Sequence, residues 1–372
     1  MRLRSAGLAA LLTALMTTAA MAAPAQADPP GTVIDAGPLP GDQWLPGAGA
    51  AHRVTYTSTG PGDASATVTG TIFVPAGPPP AGGWPVVSWA HGTTGLGDGC
   101  APSVRPRLQP ETEHLAAWLK EGYAIVATDY AGLGTPGVHP YLDGRTAAHG
   151  VVDIVRAARA VVPELSPSWV AVGHSQGGHS GLFTANLATR YAPELDFRGA
   201  VATGPPSNLT RIIGEFDPST PPLPIMPGLT ALTSYILAGV QAATPGFDVQ
   251  PYLSPLGREV VADAERLCMG EQMVRTEGIS IGQLLSKPLD ERFRQAMGAA
   301  FDVPTTGYDR PVFIGQGDSD KVVPAFLTKR LVDDLEAAGQ PYTYRTYPAD
   351  HMDTVPASLP DSLDFVRRLF GR

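Results

Sequence analysis

Trp169-Val170-Ala171-Val172-Gly173-His174-Ser175-Gln176-Gly177-Gly178 enters as a short apolar run and leaves as the start of a helix. The run ending at Val172 suits a strand buried on both faces, and the periodicity from Gln176 to Tyr191 suits an amphipathic helix. Between them stands Gly173-His174-Ser175-Gln176-Gly177, of the form G-x-S-x-G. With 42 Gly among 372 residues, that form arises by chance in about one such chain in four, so the form alone decides nothing. Gly278-Ile279-Ser280-Ile281-Gly282 matches it too, yet follows the polar stretch 271–277 and precedes a run broken by Pro288. Context selects Ser175. A serine on a tight strand-to-helix turn is exposed at the C-terminal edge of a sheet. Small residues at 173 and 177 let the turn close, and the helix start favours developing negative charge.

Outward from this turn, short apolar runs alternate with helical periodicity. Strands are expected at Pro85–Ala90, Ala124–Asp129, Trp169–Val172, Gly199–Thr203, Pro311–Gly315 and Tyr342–Tyr347, and helices at Glu111–Glu121, Thr146–Val162, Gln176–Tyr191, Pro324–Ala338 and Ala357–Phe370. Such alternation predicts an α/β fold whose mostly parallel sheet carries helices on both faces. Before it, His52–Thr59 and Ala66–Val74 flank Gly60-Pro61-Gly62-Asp63, a hairpin signal. Residues 28–50 are rich in Pro and Gly, show no period and read as an arm along the surface. The stretch between Gly204 and Asp309, about 100 residues without a clear strand, is far too long for a normal connection and reads as a helical cap at 205–309. The sheet domain then comprises 28–204 and 310–372. In the cap, Leu229, Leu232, Ile236 and Val240 fall at helical spacing, either as the cap's own core or as a wall facing a substrate.

A serine nucleophile on such a turn needs an acid and then a histidine later in the chain, each leaving a later strand. Gly317-Asp318-Ser319-Asp320-Lys321-Val322-Val323-Pro324 offers two carboxylates, and Ala349-Asp350-His351 follows the last expected strand. Asp320 is preferred to Asp318 because D-x-V-V-P places it at the turn into the next helix. His52, His91, His114, His139, His149, His174 and His179 all precede or closely follow Ser175, which leaves His351 as the base. The oxyanion of an acyl-transfer intermediate needs backbone donors aimed at it. Gln176 supplies one N–H, and His91-Gly92-Thr93-Thr94-Gly95, after the strand Pro85–Ala90, supplies the second, with Thr93 preferred to Thr94.

The net charge is −9, and the 22 Arg and 4 Lys form no run, which argues against a nucleic-acid partner. Residues 1–27 have the features of an export signal: Arg2 and Arg4, an apolar run from Leu8 to Met16, and Ala25-Gln26-Ala27 as a cleavage site. That run is too short to span a bilayer. Loss of the leader's two Arg would bring the charge to −11. No phosphate-cradling glycine loop stands at a strand end, and His and Cys show no ligand spacing, so neither cofactor nor metal is expected. In an exported chain, Cys100 and Cys268 favour a disulfide over two free thiols.

Together His91–Gly95, Cys100-Ala101-Pro102-Ser103, Asp129-Tyr130-Ala131-Gly132-Leu133-Gly134, Gly173–Gly178, Asp320–Pro324 and His351, in that order, resemble the secretory lipases of the lipase A type within the α/β-hydrolases. The resemblance implies a capped, secreted, extracellular ester hydrolase. It further implies Ser175, Asp320 and His351 as the triad, a Cys100–Cys268 bridge from cap to core, and a small-molecule acyl ester or lipid as substrate. A monomer without a stable membrane anchor is expected. Fungal members carry an acidic residue where this chain has its H-G-T-T loop. Two other enzymes run on the same machinery: an acyltransferase, and a serine aminopeptidase, for which Glu215 and Asp217 would be the amine anchor. A non-catalytic binding protein would have lost a triad member.

Overall fold

The computed structural model describes residues 28–371 except 224, 225 and 227; the expected leader at 1–27 lies outside the described residues. Among the described residues nine strands form one sheet: β1 (Val33–Pro38), β2 (Ala48–Thr59), β3 (Ser65–Pro75), β4 (Trp84–Ala90), β5 (Ala124–Thr128), β6 (Leu165–His174), β7 (Asp196–Thr203), β8 (Val312–Gly317) and β9 (Tyr342–Tyr347). Their order is β1-β2-β3-β5-β4-β6-β7-β8-β9. The pairs β1/β2, β2/β3 and β3/β5 are antiparallel, and from β5 through β9 every pair is parallel.

Alternation along the central strands explains why helices cover both faces. In β4 and β6, Val86, Trp169 and Ala171 join the core under α2 (Gly144–Val161) and α3 (Gln176–Tyr191), while Val87, Trp89, Val170 and Val172 join the opposite core. That second core is closed by α1 (Gln109–Lys120) and by a C-terminal helix at 354–369. Both faces of each strand are therefore withdrawn from water, as a parallel sheet requires.

Residues 28–50 depart from the expected arm: Val33–Pro38 is an edge strand paired in register with β2, Ala36 opposite Val54. An edge strand facing solvent needs no apolar alternation; its pattern is mostly exposed, with Val33 packed against the core, so its pairing rests mainly on the backbone. The hairpin forms as expected, with Thr59 opposite Ser65 at its closed end.

Between β7 and β8 the described residues form helices and no strand: α4 (Leu209–Ile213), α5 (Leu229–Ala243), α6 (Pro255–Ala264), α7 (Met269–Arg275), α8 (Ile281–Leu284) and α9 (Glu291–Phe301). Local chemistry starts several of them. Ser254 caps α6 through the Gly257 N–H with Pro255 in the first turn, and Asp290 caps α9 through the Phe293 N–H. Ser280, the serine of the second G-x-S-x-G, caps α8 in a reciprocal pair with Gln283. These helices share a core of Leu237, Leu253, Leu289, Phe293 and Phe301, into which Leu96, Tyr141 and Leu142 reach from the sheet side. The remaining helices are α10 (Ala325–Ala337) and α11 (Thr354–Leu369).

Candidate active site

Ser175 sits at φ 57°, ψ −122°, a conformation that a residue with a side chain adopts only under constraint. The constraint is visible. Ser175 N–H donates to Thr203 O at 2.8 Å, tying the turn to β7. A Cβ on Gly173 would lie 2.1 Å from Gly177 O, and one on Gly177 would lie 1.8 Å from Ala90 O. Both glycines are therefore required by close backbone approach, and the turn presents Ser175 above the end of β6.

The acid and the base meet at the ends of β8 and β9. Asp320 is buried, and its Oδ2 is 2.7 Å from His351 Nδ1. Its other oxygen accepts the Val322 and Val323 N–H groups at 2.8 Å each, which is what the D-x-V-V sequence provides. Gln316 Nε2 donates to Oδ2 at 3.2 Å. Asp318, the alternative acid, is exposed, its N–H bonded to Tyr347 O. Because the carboxylate only accepts, His351 Nδ1 is the donor, which leaves Nε2 as the ring's free acceptor.

Ser175, His351 and Thr93 line one cavity of about 270 Å³, whose other walls include Trp89, Leu232, Met269 and Val355. His174 also lines it; its ring is 4.5 Å from that of His351, and Nδ1 is 3.0 Å from Thr203 Oγ1. Burial first, and the neighbouring His351 second, push the His174 pKa well below the ordinary imidazole value, so this ring stays neutral. Gly204, at φ 52°, lets the chain pass the base: a Cβ there would stand 3.2 Å from the His351 ring.

Gln176 opens α3, so its N–H is one that a helix start leaves without an intrahelical acceptor. Its side chain is hydrogen-bonded to His139 Nε2 at 2.8 Å, and Thr93 Oγ1 is 2.7 Å from Tyr141 Oη. Neither His139 nor Tyr141 was legible as part of the site, since both lie in a loop with no motif of its own. Asp129 and Tyr130 hold turns: Asp129 accepts from Thr69 Oγ1 and Ser103 N–H, and the Tyr130 hydroxyl donates to His91 O at 2.9 Å. Glu215 is exposed and Asp217 caps a local turn through Ser219; neither lines the cavity. Among the described residues no group of three or more His, Cys, Asp or Glu is arranged to hold a metal ion.

Cys100 and Cys268 are bonded, their Cα atoms 5.4 Å apart, with Cys268 at the start of α7 and Cys100 just beyond the loop that carries Thr93. The same junction has a backbone bridge between Gly95 and Cys268 and a hydrogen bond from Met269 N–H to Thr94 O at 2.9 Å.

A serine on a strained turn after the central strand of such a sheet, with a His–Asp pair at the ends of later strands, places the chain among the α/β-hydrolases. Solved structures agree on the fold. Candida antarctica lipase A in its closed state superposes with a TM-score of 0.73 at 21% identity, covering 92% of this chain and 83% of that one. A ligand-bound form of the rice cell wall degrading esterase LipA from Xanthomonas oryzae gives a TM-score of 0.71 at 18% identity over 92% and 98%. The secretory lipase family model matches residues 104–371, and the chain belongs to that family. Its relatives include lipase A of Moesziomyces aphidis, 24% identical over 91% of this chain and 76% of that protein. A secreted triacylglycerol lipase of Malassezia globosa is 26% identical over 86% and 72%. A Mycobacterium tuberculosis protein with the words inactive lipase in its name is 25% identical over 88% and 75%.

Proposed function

We propose that the protein is a secreted serine carboxylic ester hydrolase, a lipase or esterase, with Ser175, His351 and Asp320 as its triad and residues 205–309 as a cap over the site. The observation that carries this reading is the buried 2.7 Å bond between Asp320 and His351 beside a cavity that Ser175 also lines. Ser175 Oγ attacks the ester carbonyl carbon while His351 Nε2 takes its proton; Asp320 holds the tautomer and stabilises the imidazolium. The tetrahedral oxyanion accepts from the Gln176 N–H and from Thr93. Collapse expels the alcohol, protonated by His351, and water repeats the sequence on the acyl-enzyme. Trp89, Leu232, Met269 and Val355 give the cavity apolar walls suited to an acyl chain. Export rests on the leader at 1–27 and on relatives named as secreted lipases. No helix among the described residues is long and apolar enough to cross a membrane.

The test is hydrolysis of p-nitrophenyl esters from acetyl to palmitoyl, alongside an aminoacyl anilide, by wild type and Ser175→Ala. Ester turnover should fall by about 10³-fold or more in the variant. Cleavage of anilides without esters would replace this reading with the aminopeptidase, and transfer products in added alcohol would bring in the acyltransferase. No turnover in wild type would put the chain beside its relative named inactive.

A further inference from the structure

Between β5 and α2 the chain makes a loop whose last residues, 138–142, touch the side chains of both residues assigned to the oxyanion hole. His139 Nε2 is 2.8 Å from the Gln176 carboxamide nitrogen, and Tyr141 Oη is 2.7 Å from Thr93 Oγ1. The direction of the first bond follows from the ring's other side. His139 Nδ1 is 2.9 Å from Ala131 O, which can only accept, so Nδ1 carries the proton. Burial pushes the His139 pKa down to about 4, so near neutral pH the ring has one proton only and Nε2 accepts from Gln176. Tyr130 lies flat against the same ring, centroids 5.5 Å apart and planes 11° from parallel.

The loop is itself rigidly held. Tyr130 and Leu142 both have positive φ, 69° and 61°, and both are buried. Asp143, next in the chain, caps α2 through Thr146 N–H and Oγ1. Above the loop lies α5, where Gly239 packs so tightly that a Cβ would stand 2.4 Å from Tyr141 O, and the Tyr235 ring is 5.7 Å from that of Tyr141.

We propose that His139 and Tyr141 are positioning residues for the oxyanion hole, His139 holding Gln176 and Tyr141 holding Thr93, so that one loop clamped under α5 sets the distance between the two donors. This rests on the ester-hydrolase reading. Its physical reason is that an oxyanion hole works only if its donors are aimed before the charge appears, and displacement by about 1 Å can cost 10²-fold. The N–H of Gln176 rides on a residue whose side chain is pinned, and the loop bearing Thr93 is pinned from the same side.

A double-mutant cycle separates positioning from general stability. Gln176→Met keeps the backbone N–H and removes only the side-chain bond, and His139→Phe keeps a flat ring against Tyr130 and removes the acceptor together with the Nδ1–H bond to Ala131 O, a loss that the double variant shares with the His139 single. On p-nitrophenyl acetate each single variant should lower kcat about tenfold with KM within about twofold, and the double variant should be no slower than the slower single. Losses that multiply to about 100-fold, or singles with unchanged kcat, would overturn the proposal. If His139→Phe fails to fold, the second arm decides: Tyr141→Phe should lower kcat, and adding it to Thr93→Val should cost nothing further, whereas multiplying losses there would overturn it. Ser175→Ala runs in parallel. Turnover retained in that variant overturns the ester-hydrolase reading and the proposal with it; an inactive Ser175→Ala with multiplying losses overturns the proposal alone.

Discussion

Asp320 accepts four hydrogen bonds with two oxygens, from His351, Gln316, Val322 and Val323, so its orientation is determined on every side. Asp320→Asn should therefore leave the backbone in place while offering an N–H or a weaker acceptor to the imidazole, favouring the wrong tautomer. We expect kcat to fall by about 10³–10⁴-fold with an unchanged circular dichroism spectrum; a loss below tenfold would remove Asp320 from the proposed triad. The glycines make the opposite kind of statement, about backbone instead of chemistry. In Gly177→Ala the new methyl would overlap Ala90 O, with a separation of 1.8 Å before relaxation. The helix start must move, and urea unfolding should show a loss of about 3 kcal/mol or more together with loss of activity. At this scale the different settings of Ser175 and Ser280 were legible, because a strand enters one and a polar stretch the other. The partners of His139 and Tyr141 were not, because they come from residues distant in sequence.

Among the elements, α5 shows how one helix serves two ends. Ile236 and Val240 are buried in the core of the 205–309 segment, whereas Leu232, one turn earlier, lines the cavity with Ser175. The spacing of its apolar stripe predicts the helix and cannot say which turn meets which neighbour. The two positions should separate experimentally. Ile236→Ala should cost about 2–4 kcal/mol in unfolding free energy as a buried cavity mutation. Leu232→Trp should leave stability nearly intact and lower the palmitoyl-to-acetyl ratio of kcat/KM by about tenfold, since it fills the wall against which a long chain would lie; an unchanged ratio would place the acyl chain elsewhere. The edge strand β1 is the element the sequence hid, for it buries little and pairs through its backbone.

For the whole molecule, the helical 205–309 segment is fastened to the sheet domain beside the candidate site. The disulfide closes 168 positions of sequence, beside the Met269–Thr94 hydrogen bond. Chain entropy would credit such a closure with up to about 4–5 kcal/mol, so Cys100→Ser with Cys268→Ser should lower the melting temperature clearly, and kcat with it through the Thr93–Thr94 loop. Stability should also depend on acidity. His114, His139, His149 and His179 are buried, and desolvation is the main cause that pushes their pKa values down to about 4. The unfolded chain protonates these rings near 6.5 and the folded one does not, so folding stability falls as pH drops from about 6.5 to about 4, by at most about 1.4 kcal/mol per unit per ring. Asp153, raised to about 6 by burial, has the opposite sign and offsets roughly one of them. The urea midpoint should be lower at pH 5 than at pH 7; an equal or higher midpoint would contradict this balance.

The alternation of strand and helix, the G-x-S-x-G turn in its context, the D-x-V-V-P turn and the histidine after the last strand are local patterns, and the sequence by itself determined the α/β class, the sheet's central strands and the candidate triad. Local pattern suffices there because backbone geometry and burial period act over a few residues. Tertiary structure alone decided which turn of α5 faces the cavity, how residues 28–50 pair, and which groups touch the Gln176 and Thr93 side chains. Those contacts join residues tens to hundreds of positions apart, and no periodicity or motif encodes a distance that only the packed chain creates.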